Sequence, residues 1–435
     1  MSGSTLGISP SVTSSERLPR HRRAEFALLA SQGAAVASLS LCAVITARVL
    51  GPEGRGLVSA SMVVVAIGAY CGLLGTNQYI VRAARAGQPY AGAGTAVRLA
   101  LIAACLLAGA GTVGLLGHSG LADLDASGLV GLAGIAALAA CTQVAAEHHA
   151  ARRQSEGLFS RLAIERTFWT AIPPLLTATV AIWTRDWHAT VVTACVSPLP
   201  ILVAVRTIAN RQRETVTAVV VCQRLRRDAL FRSTLKTWTA AMLLLLLYRA
   251  DLVLLGIFSD AGQVGIYSIS LMAAECIWMY ASAKSVVLFP SLVGQPYDER
   301  KMARAAARRD CLVVTAALAL GACVFGYAAV KILLGVEYVD SYRAMLWLIP
   351  GVLAFVVVRL WVMEASAFGE SRTPSLVLMM GLAVEGILTA FLASRYGAQG
   401  AAAACSATYV ALAAVVCVIE RRVDRKRSYL SGGDK

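Results

Sequence analysis

Five ionisable side chains stand inside apolar sequence where a hydrocarbon environment makes a charge costly: Arg249, Asp251, Lys284, Glu275 and Glu385. Such groups face a partner or an aqueous path, and they mark transport or relay sites. Arg249 lies in the apolar stretch 237–257 and Glu275 in the next one, 265–290. Counted from the short turn between those stretches, both sit roughly 14 Å deep at ~1.5 Å per residue, so they can pair. A guanidinium fork also suits a phosphate, to which it donates two parallel hydrogen bonds. Both readings of Arg249 stay open. Asp251 is two residues further on, about 200° around the helix, and faces away from Arg249. Glu385 is mid-depth in the stretch 375–394; it reads either as a proton-binding carboxylate for coupling or as a buried neutral one. Lys284 and Arg359 stand near stretch ends and can extend their heads to the membrane surface. Lys284 is also a candidate phosphate contact at the inner mouth. Gln32, Asn77 and Gln78 are neutral polar groups, suited either to sugar hydroxyls or to hydrogen bonds between helices.

The elements that must position these groups are membrane-spanning helices. The 435-residue chain is 57% hydrophobic and 15% charged, with a mean hydropathy of +0.66. That balance does not suit a soluble monomer. Stretches of the length needed to cross a bilayer, about 20 residues, fall at 26–49, 57–80, 97–117, 128–147, 162–183, 189–208, 237–257, 265–290, 311–333, 343–365, 375–394 and 399–419. They lack the alternation of a membrane barrel, so the fold class is all-α and polytopic, with about twelve transmembrane helices. The net charge of +15 follows topology. With the N-terminus inside, 31 Lys and Arg fall on the cytoplasmic side, 6 in outer loops (Arg55 among them) and 3 within helices. This excess is the positive-inside signal; it places both termini in the cytoplasm of a bacterial inner membrane and points to anionic lipid rather than nucleic acid.

The stretches divide into two pseudo-symmetric six-helix bundles, 25–208 and 237–419. They are flanked by a tail at 1–24, a basic tail at 420–435 and a segment at 209–236. In that segment Val219, Leu225 and Phe231 alternate with Arg213, Arg224 and Arg232, a pattern expected of a basic amphipathic helix on the inner leaflet. The turn after stretch one, Leu50-Gly51-Pro52-Glu53-Gly54-Arg55-Gly56, is echoed after stretch seven by Leu255-Gly256 through Val264-Gly265. Other signals carry little. Asp123-Leu124-Asp125 lies in a short outer loop where nucleotide sugars are absent. His148-His149 has no second ligand set. The eleven cysteines show no CxxC. There is no phosphate-binding GxxxxGK[ST] loop. No cofactor or metal is expected, and no enzyme.

Four segments carry a resemblance: ARVLGPEGRGLVSASMVV, YRADLVLLGIFSDAGQVGIYSISLMAAE, LLGVEYVDSYRAMLWLIPG and RYGAQGAAAACSATY. In this order the chain resembles the polysaccharide flippases of the multidrug/oligosaccharidyl-lipid/polysaccharide exporter superfamily. The resemblance implies two bundles around a central cavity lined by helices 1, 2, 7 and 8. It also implies transfer of a lipid-linked oligosaccharide, of undecaprenyl-pyrophosphate type, from inner to outer leaflet by alternating access. The partners implied are that lipid-linked glycan, membrane lipids and other polysaccharide-assembly proteins. The alternatives are a cation-coupled multidrug exporter of the same superfamily and, from another class, a membrane polysaccharide polymerase or ligase. The first lacks mid-depth carboxylates in helices 1 and 2; the second lacks a large outer loop.

Overall fold

The computed structural model describes residues 14–85, 93–117, 125–156, 158–211, 227–292, 297–367 and 372–432. Among them there is no strand. The helices are α1 (Ser14–Leu73), α2 (Thr76–Arg85), α3 (Ala93–Thr112), α4 (Ala126–Ser155), α5 (Phe159–Thr184), α6 (Trp187–Val196), α7 (Pro198–Arg211), α8 (Arg227–Leu247), α9 (Ala250–Phe258), α10 (Ala261–Leu292), α11 (Tyr297–Leu333), α12 (Val339–Ala367) and α13 (Arg372–Gly432).

Helix boundaries and membrane crossings do not coincide, for local reasons. The 60-residue α1 and the 61-residue α13 are each two crossings, folded at Gly51 (φ 68°) and Gly397 (φ 55°). Only glycine turns there without a steric penalty. Pro198 has no N–H to donate, and it separates α6 from α7 within one crossing. A 42° bend separates α8 from α9, so the seventh crossing, expected to be one helix, is broken at Tyr248-Arg249. The second crossing is broken too: Leu74 and Gly75 have φ of 45° and 73°, and α2 restarts at Thr76. The chain is a multi-pass membrane protein of two six-helix bundles. The Gly51, Asp186, Ser259, Gly335 and Gly397 turns form one end, the turn end; the first turns of α1 and the last turns of α13 lie at the other, the terminal end.

Of the expected linker 209–236, residues 212–226 lie outside the described residues, and 227–236 are the first turns of α8 rather than a separate surface helix. No helix breaker stands between Arg227 and Leu247, so the basic residues continue straight into the crossing.

Each bundle is tied internally near its terminal end by ion pairs. Arg153 holds Glu165 at 2.8 Å between α4 and α5, and His149 meets the same carboxylate at 2.9 Å. In the second bundle Arg304 holds Glu364 at 2.7 Å and Arg308 holds Glu420 at 2.7 Å, joining α11, α12 and α13. Small residues allow close packing elsewhere: Gly68 and Gly72 press on Ala108 and Ala104 of α3. The two bundles meet along α1 and α10. At the turn end they touch backbone to backbone, where Gly56 abuts Ala261 and Gly265 abuts Pro52.

Candidate functional site

The break in the seventh crossing sends its two charges in opposite directions. On one side Arg249, half-buried, reaches Glu275 of α10 at 2.8 Å. On the other, Asp251 is fully buried and turns into the second bundle. There its carboxylate accepts from the Leu252 N–H at 2.7 Å and from the Tyr267 hydroxyl. The peptide N–H at the first turn of α9 favours that negative group. The broken helix leaves a backbone carbonyl free at Leu247, and the Tyr409 hydroxyl donates to it at 3.3 Å.

Glu385 comes from the eleventh crossing to the same buried place. Oxygens of Asp251 and Glu385 and the sulfur of Cys405 all lie within 4.8 Å of one another. Neither oxygen of Glu385 has a hydrogen-bond partner among the described residues, and neither does the Thr389 hydroxyl beside it. Two carboxylates this close, both at 0% exposure, cannot both be ionised in a dry interior. Such an arrangement can share one proton or hold one small cation. Asp251 and Glu385 stand out separately in the sequence; that they meet depends on how α9 packs against α13, and the fold at Gly397 returns Cys405 to the same place.

The Arg249 side is different in kind. The Arg249 guanidinium lies 4.8 Å above the Tyr248 ring. Tyr248 packs edge-on to Trp278 at 5.4 Å, and Arg359 lies 5.8 Å from the Trp278 ring. Tyr70 of the first bundle is within electrostatic reach of Arg359 and Tyr248. Cations and aromatics thus alternate across one patch facing the first bundle. Arg359 was expected to reach for the membrane surface; its Nε is instead buried without a hydrogen-bond partner, and it has no ion pair among the described residues. A cation–π contact offsets only part of its lost hydration. The patch joins the carboxylate pair through stacked rings: Trp278 to Phe355 at 4.7 Å and Phe355 to Tyr409 at 4.6 Å.

The other expected residues lie further out. Lys284 is 4.0 Å from Asp310 near the terminal end of α10. Gln32 is half-buried in α1, and Asn77 is half-buried on α2, beyond the break in the second crossing. The Gln78 side chain lies outside the described residues. Sequence reading missed Cys405, Tyr409, Trp278 and the patch role of Arg359. Tyr267 carries a signal, since it stands two residues past Gly265 and 16 residues after Asp251 in a hairpin.

A sequence profile for the family described as polysaccharide biosynthesis protein matches residues 45–343. No curated protein sequence matches the chain. Among solved structures, the fold is similar to an inward-facing multidrug resistance MATE family transporter of the MOP superfamily. There the TM-score is 0.68 at 15% identity, covering 90% of this chain and 96% of that one. It is similar to the lipid II flippase MurJ in an inward closed conformation, with a TM-score of 0.64 at 10% identity and coverage of 91% and 87%. A MATE transporter in complex with MaL6 scores 0.62 at 18% identity, covering 93% and 97%. With twelve crossings among the described residues, in two bundles, and a profile match over most of its length, the chain belongs to the polysaccharide biosynthesis protein family.

Proposed function

We propose that the chain flips a lipid-linked oligosaccharide, carried on a polyprenyl pyrophosphate, from the cytoplasmic to the outer leaflet of a bacterial inner membrane. Both termini are then cytoplasmic, and the terminal end is where substrate enters. The observation that carries this reading is the Arg249–Tyr248–Trp278–Arg359 patch. Guanidinium groups receive pyrophosphate, and aromatic faces receive the apolar faces of sugar rings. A headgroup with that charge cannot cross hydrocarbon unaided; the patch replaces its water at mid-depth. Arg359 has no competing carboxylate among the described residues. Arg249 gives up Glu275 when phosphate arrives. Lys284, Gln32 and Asn77 extend the polar path towards the terminal end. The basic residues of the 209–236 segment attract anionic lipid to the entry side.

Energy enters at Asp251 and Glu385. Loading that pair with a proton or small cation changes the charge at the first turn of α9, one residue after the helix break that carries Arg249. Substrate and coupling ion thus act on the same broken helix from opposite faces. A cation-coupled multidrug exporter would use the same carboxylates, but an aromatic patch with two arginines disfavours a cationic drug. The test is reconstitution of the full chain in liposomes with a polyprenyl-diphosphate-linked sugar bearing a fluorophore. Wild type is expected to expose the probe to an impermeant quencher, and Arg359→Ala and Arg249→Ala to slow that exposure more than tenfold while Glu275→Gln is tolerated. Faster movement of a cationic drug than of the diphosphate probe would overturn the reading.

A further inference from the structure

At the turn end the two echoed turns are packed on each other, and their contact is reciprocal. A Cβ on Gly56 would stand 1.8 Å from the Ala261 carbonyl oxygen, and one on Gly265 would stand 1.9 Å from that of Pro52. Tyr338 adds a hydrogen bond to the Ala47 carbonyl at 3.1 Å. This closes the turn end backbone against backbone. Glu53 and Asp260 stand exposed at its rim beside Gly262, and one charge is half-buried within it. Arg55 was counted with the outer-loop cations, yet its side chain is half-buried between the bundles. It donates to Thr46 of its own bundle at 3.1 Å and to Ser268 of the other at 3.3 Å. Among the described residues no carboxylate pairs with it.

The choice of partners matters. A buried carboxylate would hold the bundles together by an ion pair whose rupture leaves two bare charges. A serine hydroxyl releases the guanidinium cheaply. Were the contact only a hydrogen bond across the seam, a neutral amide would make it without the cost of burying a charge. An unneutralised cation that becomes exposed when the seam parts is suited to meet an anion leaving through the gap.

We propose that Arg55 is the exit-side phosphate contact: it tethers the closed seam through Ser268, and on opening it turns to the pyrophosphate released from Arg249 and Arg359. This rests on the flippase reading. It makes Arg55 a substrate contact for the last stage of transfer, and it divides the work between the bundles. The second bundle loads the phosphate, and the first receives it on the way out.

Arg55→Gln and Arg55→Lys variants of the full chain test it in liposomes carrying the fluorescent polyprenyl-diphosphate-linked sugar. Hydrogen exchange of residues 261–268 reads the seam. The glutamine amide still reaches Ser268, so exchange is expected to stay within about threefold of wild type. Probe exposure is expected to fall at least about tenfold, the scale of one charge-assisted hydrogen bond, with partial recovery in the lysine variant. Wild-type exposure by the glutamine variant overturns the proposal, because the charge is then unnecessary. Equal loss in both variants together with rapid exchange also overturns it, because Arg55 then only holds the fold. If wild type itself moves no probe, it is the flippase reading that fails.

Discussion

The first and second hairpins have the same backbone plan and opposite contents. Each leaves the bundle through a turn, re-enters at a glycine, and presses that glycine on the other's backbone. Inside the second hairpin and its neighbours stand Arg249, Asp251, Glu275 and Glu385. Inside the first, at comparable depth, stand Cys42, Ala43 and Thr46, and the Thr46 hydroxyl donates to the Cys42 carbonyl at 2.7 Å. The seventh crossing is also broken beside its charges, whereas the first crossing is continuous up to Gly51. A broken helix supplies free carbonyls and a flexible joint; a continuous one supplies a rigid lever. The difference teaches that the seam is shared symmetrically between the halves while the mid-depth charges of the two hairpins stand in the second.

If the seam is symmetric, damage to either glycine has the same consequence, and this is the largest effect expected. Gly56→Leu and Gly265→Leu each drive a side chain into an opposing carbonyl. Overpacking of this kind costs ~1–3 kcal/mol or more, enough to move the open-to-closed ratio at the turn end by ten- to a hundredfold. Hydrogen exchange at residues 51–56 and 261–268 should rise together in both variants, with transport nearly abolished. A strong effect at Gly56 and none at Gly265 would break the symmetry.

The symmetric part was legible in the sequence because it is written in local signals: Leu-Gly exits, glycine re-entries and apolar stretches of spanning length. The charges were legible one at a time, since an Arg or Glu among Leu and Val stands out whatever the fold. What they do together was not. The Asp251–Glu385 meeting depends on how α9 lies against α13, a long-range packing outcome with no periodic trace. The breaks at Tyr248-Arg249 and Leu74-Gly75 carry no proline, so hydropathy reads straight through them. Arg359 shows the same limit: its distance from a helix end suggested the membrane surface, and only the position of Trp278 explains why it faces inward.

A smaller but more specific effect is expected from the carboxylate pair. Glu385→Gln removes a group that has no hydrogen-bond partner among the described residues. The fold should survive it, and thermal stability should hold or rise, because an uncompensated buried carboxylate is a liability. Transport driven by a proton or sodium gradient should fall about tenfold, while exchange of probe without a gradient continues. Separate arms with a pH gradient and a sodium gradient identify the coupling ion. Thr46→Val in the first hairpin should leave gradient dependence intact. If instead Thr46→Val abolishes it and Glu385→Gln does not, sensing belongs to the wrong half.

The smallest expected effect concerns the rings between patch and pair. Trp278, Phe355 and Tyr409 stack without a gap from the Arg359 guanidinium to the residue that bonds the Leu247 carbonyl. Phe355→Leu keeps an apolar core residue but removes two ring contacts, worth ~0.5–1.5 kcal/mol each. If the stack links the patch to the broken helix, the variant should bind probe with about wild-type affinity yet require a gradient a few-fold larger for the same rate. A Phe355→Leu, Glu385→Gln double variant should then be no worse than Glu385→Gln alone, because both changes act on one linkage. Additive losses would mean that the rings merely fill the core and that the two faces of α9 communicate through the helix break itself.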